Sequence, residues 1–146
     1  MESLHYSLMK SHSMLNRRIQ AGAQGIGLTS GQPKVLECLM DHEGLDQKSI
    51  ACYCEIEPAT VGSILLRMEQ AGLIERRQKG GNRRSLFVYL TAKGRDAANQ
   101  MESIFQAADA AASTNLSRDE YEQLLYLLGK VCSSLESQRK EVETHE

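Results

Sequence analysis

Apolar side chains recur at intervals of three and four residues along most of the chain, a pattern typical of helices that bury one face. In the first segment the apolar positions are Leu4, Leu8, Leu15 and Ile19, with Met9 beside them. We expect this helix to end near Ala21, because Gly22, Gly25 and Gly27 follow and glycine weakens a helix. The spacing therefore predicts a first helix over most of residues 1–21.

A second helix should begin near residue 30. Thr29 or Ser30 can cap it, and Pro33 suits its first turn. Its inner face should consist of Val35, Leu36, Leu39 and Met40. Gly44 should stop it.

Two shorter helices follow, with a turn at residues 55–57 between them. Asp46 is a suitable N-cap for the first, and Pro58 suits the first position of the second, where no backbone N–H is needed. Gly72 should end the second helix. The inward-facing positions are Ile50, Ala51 and Cys54 on the first helix and Val61, Ile64, Leu65 and Met68 on the second. This order predicts a helix-turn-helix.

The helical spacing of apolar residues ends at Gly72. Residues 73–78 and 86–90 are short runs of strand-favouring residues, and Gly80, Gly81 and Asn82 predict a turn between them. The sequence therefore predicts a two-stranded hairpin directly after the helix-turn-helix.

Two helices close the chain. Thr91 can cap a long helix that starts near Ala92, and residues 113–115 should break it. Ser117 and Glu120 have the spacing of a capping box for the last helix. The apolar faces are Met101, Ile104, Phe105, Ala108 and Ala112 on the first, and Tyr121, Leu124, Leu125, Leu128, Val131, Cys132 and Leu135 on the last.

The predicted fold is mainly α with a minor β part, in the order α-α-α-α-β-β-α-α. It corresponds to a winged helix-turn-helix core at residues 28–93, flanked by an N-terminal helix at 1–27 and C-terminal helices at 94–146. The outer helices carry more apolar surface than one small domain needs. We therefore expect them to form the interface of a homodimer.

Positive charge is concentrated in one stretch. The whole chain has a formal charge of -2, yet residues 76–93 contain six Lys or Arg residues and no acid. A local cluster of this kind beside a helix-turn-helix is typical of a surface that meets the phosphates of nucleic acid.

The predicted contact residues for double-stranded DNA lie on the second helix and the hairpin. They are Thr60, Ser63 and Arg67 on the helix and Arg76, Arg77, Lys79, Arg83 and Arg84 on the hairpin. Hydroxyl groups can hydrogen-bond bases or phosphates, and arginine suits a narrow minor groove. The alternatives are a solvated helix face and a charged strand edge that prevents aggregation.

The chain resembles the MarR family of bacterial transcription regulators. The segments that carry the resemblance are LTSGQPKVLECL, QKSIACYCEIEPATVGSILLRMEQAGLIERR and RRSLFVYLTAKG. The resemblance implies a homodimer with one winged helix-turn-helix per subunit that binds pseudo-palindromic operators, commonly as a repressor. It also implies loss of DNA affinity when a small, often phenolic, molecule binds. Asn82 stands where the family usually has an acid, and Glu55 where a turn glycine is common.

Other functions fit the sequence less well. A winged-helix module that docks on protein is the alternative, since a fold does not fix a function. The chain shows no Gly-rich phosphate loop and no nucleophile elbow, so we expect no enzyme activity and no cofactor. The effector pocket is assigned to Tyr6, Met9, His12 and Tyr89, between the outer helices and the core.

The cysteines and the apolar runs bear on the compartment. Cys38, Cys52, Cys54 and Cys132 are expected to be reduced thiols without a metal, with Cys54 buried and Cys52 facing outward. No apolar run reaches the roughly 20 residues of a membrane span, and the N-terminus has no apolar signal region. We therefore expect a cytoplasmic protein.

Overall fold

The computed structural model describes residues 1–78 and 86–144, with side chains through Arg139. Its elements in chain order are α1 (Leu4–Gly25), α2 (Gln32–Asp41), β1 (Leu45–Asp46), α3 (Gln47–Cys54), α4 (Pro58–Gln70), β2 (Ile74–Gln78), β3 (Leu86–Leu90), α5 (Ala92–Ala112) and α6 (Arg118–Thr144). The chain forms two compact units, Met1–Ala108 and Asp109–Glu146. The mainly helical winged-helix architecture expected from the sequence is confirmed.

The sheet has three antiparallel strands in the order β1-β3-β2. In β2 and β3, Arg76 pairs with Val88 and Gln78 with Leu86, as expected for a hairpin. Strand β1 was not predicted. It is two residues long, too short to show a strand period, and it exists because Leu45 pairs with Val88 across the sheet.

The core belongs to the first unit. Among the described residues, the largest side chains with no more than marginal exposure lie on α2, α3, α4, β3 and α5: Leu36, Leu39, Ile50, Leu65, Met68, Met101, Val35, Val61 and Val88. The inner faces predicted for α3 and α4 are confirmed, because all seven of their residues are buried. The inner faces of α3 and α4 therefore pack into the core, and the opposite face of α4 remains exposed to solvent.

Two predicted boundaries were wrong. Helix α1 continues to Gly25 instead of ending near Ala21. A Cβ atom on Gly22 would lie 2.6 Å from Ile104 Cγ2, so this glycine lets α1 approach α5. Helix α2 is capped by Gly31, at a φ of 86°, and not by Thr29 or Ser30. A side chain at Gly31 would collide with Ile64 of α4, so tertiary packing selects the cap residue.

The other predicted caps are confirmed. Asp46 accepts a hydrogen bond from Ser49 N at 2.8 Å, and Thr91 Oγ1 accepts one from Gly94 N at 3.0 Å. In the capping box of α6, Ser117 N donates to Glu120 Oε1 at 2.9 Å and Glu120 N donates to Ser117 Oγ at 3.1 Å. Within the described residues, no helix has the length and apolar character that crossing a bilayer requires.

Candidate nucleic-acid interface

A tight turn sets the angle between α3 and α4. Glu55 follows α3 with φ 54° and ψ 45°, and Ile56 N donates to Ala51 O at 3.1 Å, which ends the helix. The left-handed conformation costs a non-glycine residue about 1 kcal/mol. Pro58 then opens α4, as predicted.

The outward face of α4 presents the predicted contact residues. Thr60, Ser63 and Arg67 are exposed, while the stripe on the other side of the helix is buried. Ser63 Oγ lies 3.5 Å from Ala59 O, a long hydrogen bond that leaves the hydroxyl available. Gly62, between them, is only partly exposed because the Gln47 side chain of α3 lies against it.

A cleft of about 670 Å³ borders this face of α4. Its walls come from three helices: Asn16 and Gln20 of α1, Ser30, Gly31 and Lys34 near the start of α2, and Ile56, Ala59, Thr60, Ser63, Ile64 and Arg67 at the turn and α4. Sequence reasoning missed the α1 and α2 residues. They lie roughly 25 to 40 residues before Pro58, the start of α4, and no local pattern connects them to it.

The two arginines of β2 are both paired with acids. Arg76 Nε lies 3.4 Å from Glu69 Oε2, and its side chain is 22% exposed. Arg77 forms an ion pair with Glu75 and lies over the Tyr89 ring, with its guanidinium carbon 4.4 Å from the ring centre. These acids lie just before the acid-free stretch 76–93, so a charge count over that stretch overlooks them.

The remaining predicted cations of the hairpin, Lys79, Arg83 and Arg84, and the turn at 80–82, lie outside the described residues. Lys93, which contributes to the same charge cluster, donates a hydrogen bond from Nζ to Ala71 O at 2.7 Å. It therefore stabilises the end of α4.

The residues assigned to an effector pocket occupy two places. Tyr6, Met9 and His12 are exposed on α1, and Tyr89 lies on β3 beneath Arg77. None of the four lines the cleft beside α4.

The thiols divide into two classes. Cys38 and Cys54 are buried, whereas Cys52 and Cys132 are exposed, which confirms the predictions for Cys52 and Cys54. Burial raises the pKa of Cys38 to about 12, with a further contribution from the neighbouring Cys54. In the described part of the chain, no group of three or more His, Cys, Asp or Glu residues could hold a metal ion.

A helix-turn-helix followed by a two-stranded hairpin is the architecture of winged-helix proteins, and an exposed hydroxyl-and-arginine face on the second helix suits contact with DNA. Comparison with known proteins gives the family. The sequence profile of the MarR family matches residues 28–86. The transcriptional regulator MgrA of Staphylococcus aureus is 30% identical over 141 residues, covering 95% of this chain and 94% of MgrA.

Two further relatives agree. The transcriptional repressor Rv2887 of Mycobacterium tuberculosis is 28% identical over 130 residues, covering 89% of this chain and 94% of the repressor. A crystal structure of an S. aureus MepR–DNA complex has a TM-score of 0.81 and 28% identity, and it covers 92% of this chain and 99% of MepR. The chain belongs to the MarR family. It is a homodimeric DNA-binding transcription regulator and not an enzyme.

Proposed function

We propose that this regulator reads operator DNA through the exposed face of α4. Thr60 and Ser63 contact bases, and Arg67 contacts a phosphate. The observation that carries the proposal is that these side chains are exposed on a helix whose opposite stripe is buried. A rigid helix with short side chains can approach the floor of the major groove closely.

The β2–β3 hairpin supplies the second contact region in this proposal. Arg77 is more exposed than Arg76, at 58% against 22% of its side chain, and so it is the better candidate of the two. DNA phosphates would compete with Glu75 for Arg77 and with Glu69 for Arg76. Lys79, Arg83 and Arg84 complete the proposed set from the sequence between the strands.

The subunit interface is assigned to α1 and α6. Large apolar side chains are exposed on each helix: Leu4, Tyr6, Leu8, Met9 and Met14 on α1, and Leu124, Leu125, Tyr126, Leu127 and Leu135 on α6. Large apolar side chains left exposed along a helix mark an interaction surface. Covering it in a dimer would hold two α4 helices about one helical turn of DNA apart. Because operator DNA lies on the chromosome, we propose that the protein acts in the cytoplasm.

We further propose that the regulator is a repressor controlled by a small aromatic carboxylate. Rv2887 has been crystallised in complex with salicylic acid. That structure matches this chain with a TM-score of 0.73 and 27% sequence identity, over 90% of this chain and 97% of the Rv2887 chain. In this chain the cleft beside α4 offers Lys34 and Arg67 for a carboxylate. Because Thr60, Ser63 and Arg67 also line that cleft, a bound ligand would obstruct the DNA-reading face.

Selection of bound sequences from random duplex DNA tests this function. We expect a pseudo-palindromic site and steep salt dependence, with affinity falling about 10³-fold between 50 and 200 mM salt. Arg67→Ala should weaken all duplexes alike and lower the salt slope by about one, whereas Ser63→Ala should change the preferred bases. Arg118→Ala, at an arginine that is 91% exposed on α6, is the matched control.

The same assay tests the effector. Salicylate should release wild-type protein from the selected site but release Lys34→Ala protein only at higher concentration. Wild-type protein that bound no duplex at low salt would contradict the DNA proposal. Release that is equal in both proteins would contradict the assignment of the cleft.

A further inference from the structure

Gln47, the first residue of α3, contacts the N-terminal part of α4. Its Nε2 atom donates a hydrogen bond to Pro58 O at 3.0 Å. The same amide lies against Gly62, since a Cβ atom on that glycine would be 2.9 Å from Gln47 Nε2 and 3.7 Å from Cδ. One side chain of α3 therefore contacts α4 at two positions that are a helical turn apart.

Gly62 leaves room for this contact. Its φ is outside the positive region, so its backbone conformation does not require glycine. A glycine inside a helix is less favourable than alanine. What its missing side chain provides is the space that the Gln47 amide occupies.

We propose that Gln47 is a positioning residue for DNA recognition. Its amide fixes the rotation and depth of the first turns of α4, which carry Thr60 and Ser63. This inference rests on the proposed function, because it assumes that α4 reads the bases. Base contacts need atoms at hydrogen-bond distance and are lost when the helix rotates slightly, whereas phosphate attraction is less sensitive to such a change.

Gln47→Met tests the role, because methionine has a similar length and shape but no amide. We expect about tenfold weaker binding to the selected operator. Affinity for unrelated duplex and the salt slope should stay unchanged, and the melting temperature should stay within about 2 °C of wild type. Gln106→Met, at an exposed residue of α5, is the control and should change neither affinity.

Two results would overturn the role. Unchanged operator affinity would show that the amide positions nothing that DNA requires. Equal losses on operator and unrelated duplex, with a lower salt slope, would show that Gln47 contacts phosphate directly.

A double-mutant cycle tests the contact without DNA. Gly62→Ala in the wild type displaces the Gln47 amide and so loses its hydrogen bond to Pro58. In the Gln47→Ala background the space is empty, and alanine only favours the helix. The change in melting temperature caused by Gly62→Ala should therefore be about 3 °C more positive in the Gln47→Ala background than in the wild type. Equal responses in both backgrounds would overturn the contact.

The two failures can be told apart. Wild-type protein that binds no duplex removes the proposed function, and with it the role of Gln47, whatever the melting temperatures show. Operator binding that survives Gln47→Met leaves the proposed function standing and removes only the role of Gln47.

Discussion

Helices α4 and α6 carry the same apolar pattern but differ in what covers it. All four stripe residues of α4 are buried: Val61, Ile64, Leu65 and Met68. None of the described side chains of α6 is buried, and Leu124 and Leu135 keep 43% and 62% of their surface exposed. Periodicity thus identifies the apolar face of each helix, but not the surface that covers it.

The difference separates two uses of an amphipathic helix. The stripe of α4 packs on α2, α3 and β2 of its own chain and so contributes to the folding of one subunit. We propose that the second subunit of the homodimer covers the stripe of α6. Burying apolar surface contributes roughly 25 cal/mol per Å² in either case. Substitutions in α4 should therefore change folding, and those in α6 should change association.

Leu65→Ala should have the largest effect. Leu65 is fully buried in the core, and removing three buried carbons should lower the free energy of unfolding by about 3 kcal/mol. Urea unfolding at one fixed protein concentration measures the change, because dimerisation makes stability depend on concentration.

The neighbouring residue provides the control. Leu66 is 51% exposed, so Leu66→Ala should change stability by less than about 0.5 kcal/mol. Equal losses at Leu65 and Leu66 would mean that the two faces of α4 do not differ in burial as described.

Charges on the stripe of α6 should act on association. Leu124→Glu combined with Leu135→Glu places two carboxylates on the apolar face, and burying them in an interface is unfavourable. We expect the dimer to weaken about 100-fold, which corresponds to about 2.7 kcal/mol. Sedimentation equilibrium measures the dissociation constant, and far-ultraviolet circular dichroism checks that the subunit stays helical.

The control is Gln123→Glu combined with Ser133→Glu, which has the same number of substitutions and the same added charge as the stripe variant. Both residues are exposed and lie off the apolar stripe, so this variant should remain dimeric. Should the stripe variant dimerise as tightly as the control, the subunit interface would have to lie on another surface.

The features predicted correctly from the sequence depend on residues that lie close to one another along the chain. The stripe of α4, the Asp46 cap and the Ser117–Glu120 box are of this kind. Each depends on helix periodicity or on a hydrogen bond between residues three apart, and the local sequence contains that information.

Features that the sequence did not predict join distant residues. Strand β1 exists because Leu45 reaches Val88, and Gly22 lets α1 approach Ile104 of α5. In the candidate site, the Gln47 contact with α4 and the α1 wall of the cleft are equally non-local. Chain packing decides such contacts, and no single-segment pattern records them.

The smallest expected effects concern the helix caps, where α3 and α6 can again be compared. Asp46→Ala removes the acceptor for Ser49 N and should lower the free energy of unfolding by about 1 kcal/mol. Ser117→Ala removes the corresponding acceptor for Glu120 N at the exposed start of α6. Because α3 lies within the core and α6 does not, we expect hydrogen exchange after Asp46→Ala to accelerate through α3 and α4, and after Ser117→Ala only in the first turn of α6.

The pH dependence of the Asp46 cap sharpens this comparison. Hydrogen bonds from Ser49 hold the pKa of the Asp46 carboxyl below its ordinary value of 3.8. A carboxyl whose pKa is lower in the folded state stabilises the fold fully above its unfolded pKa, and this contribution is lost as the pH falls through the folded pKa. Asp46→Asn keeps a capping oxygen that does not titrate. The stability difference between wild type and Asp46→Asn, measured by urea unfolding, should therefore be constant above about pH 5 and should shift in favour of the variant below pH 3.8. A difference that stayed constant down to pH 2 would show that the Asp46 charge contributes nothing to capping α3.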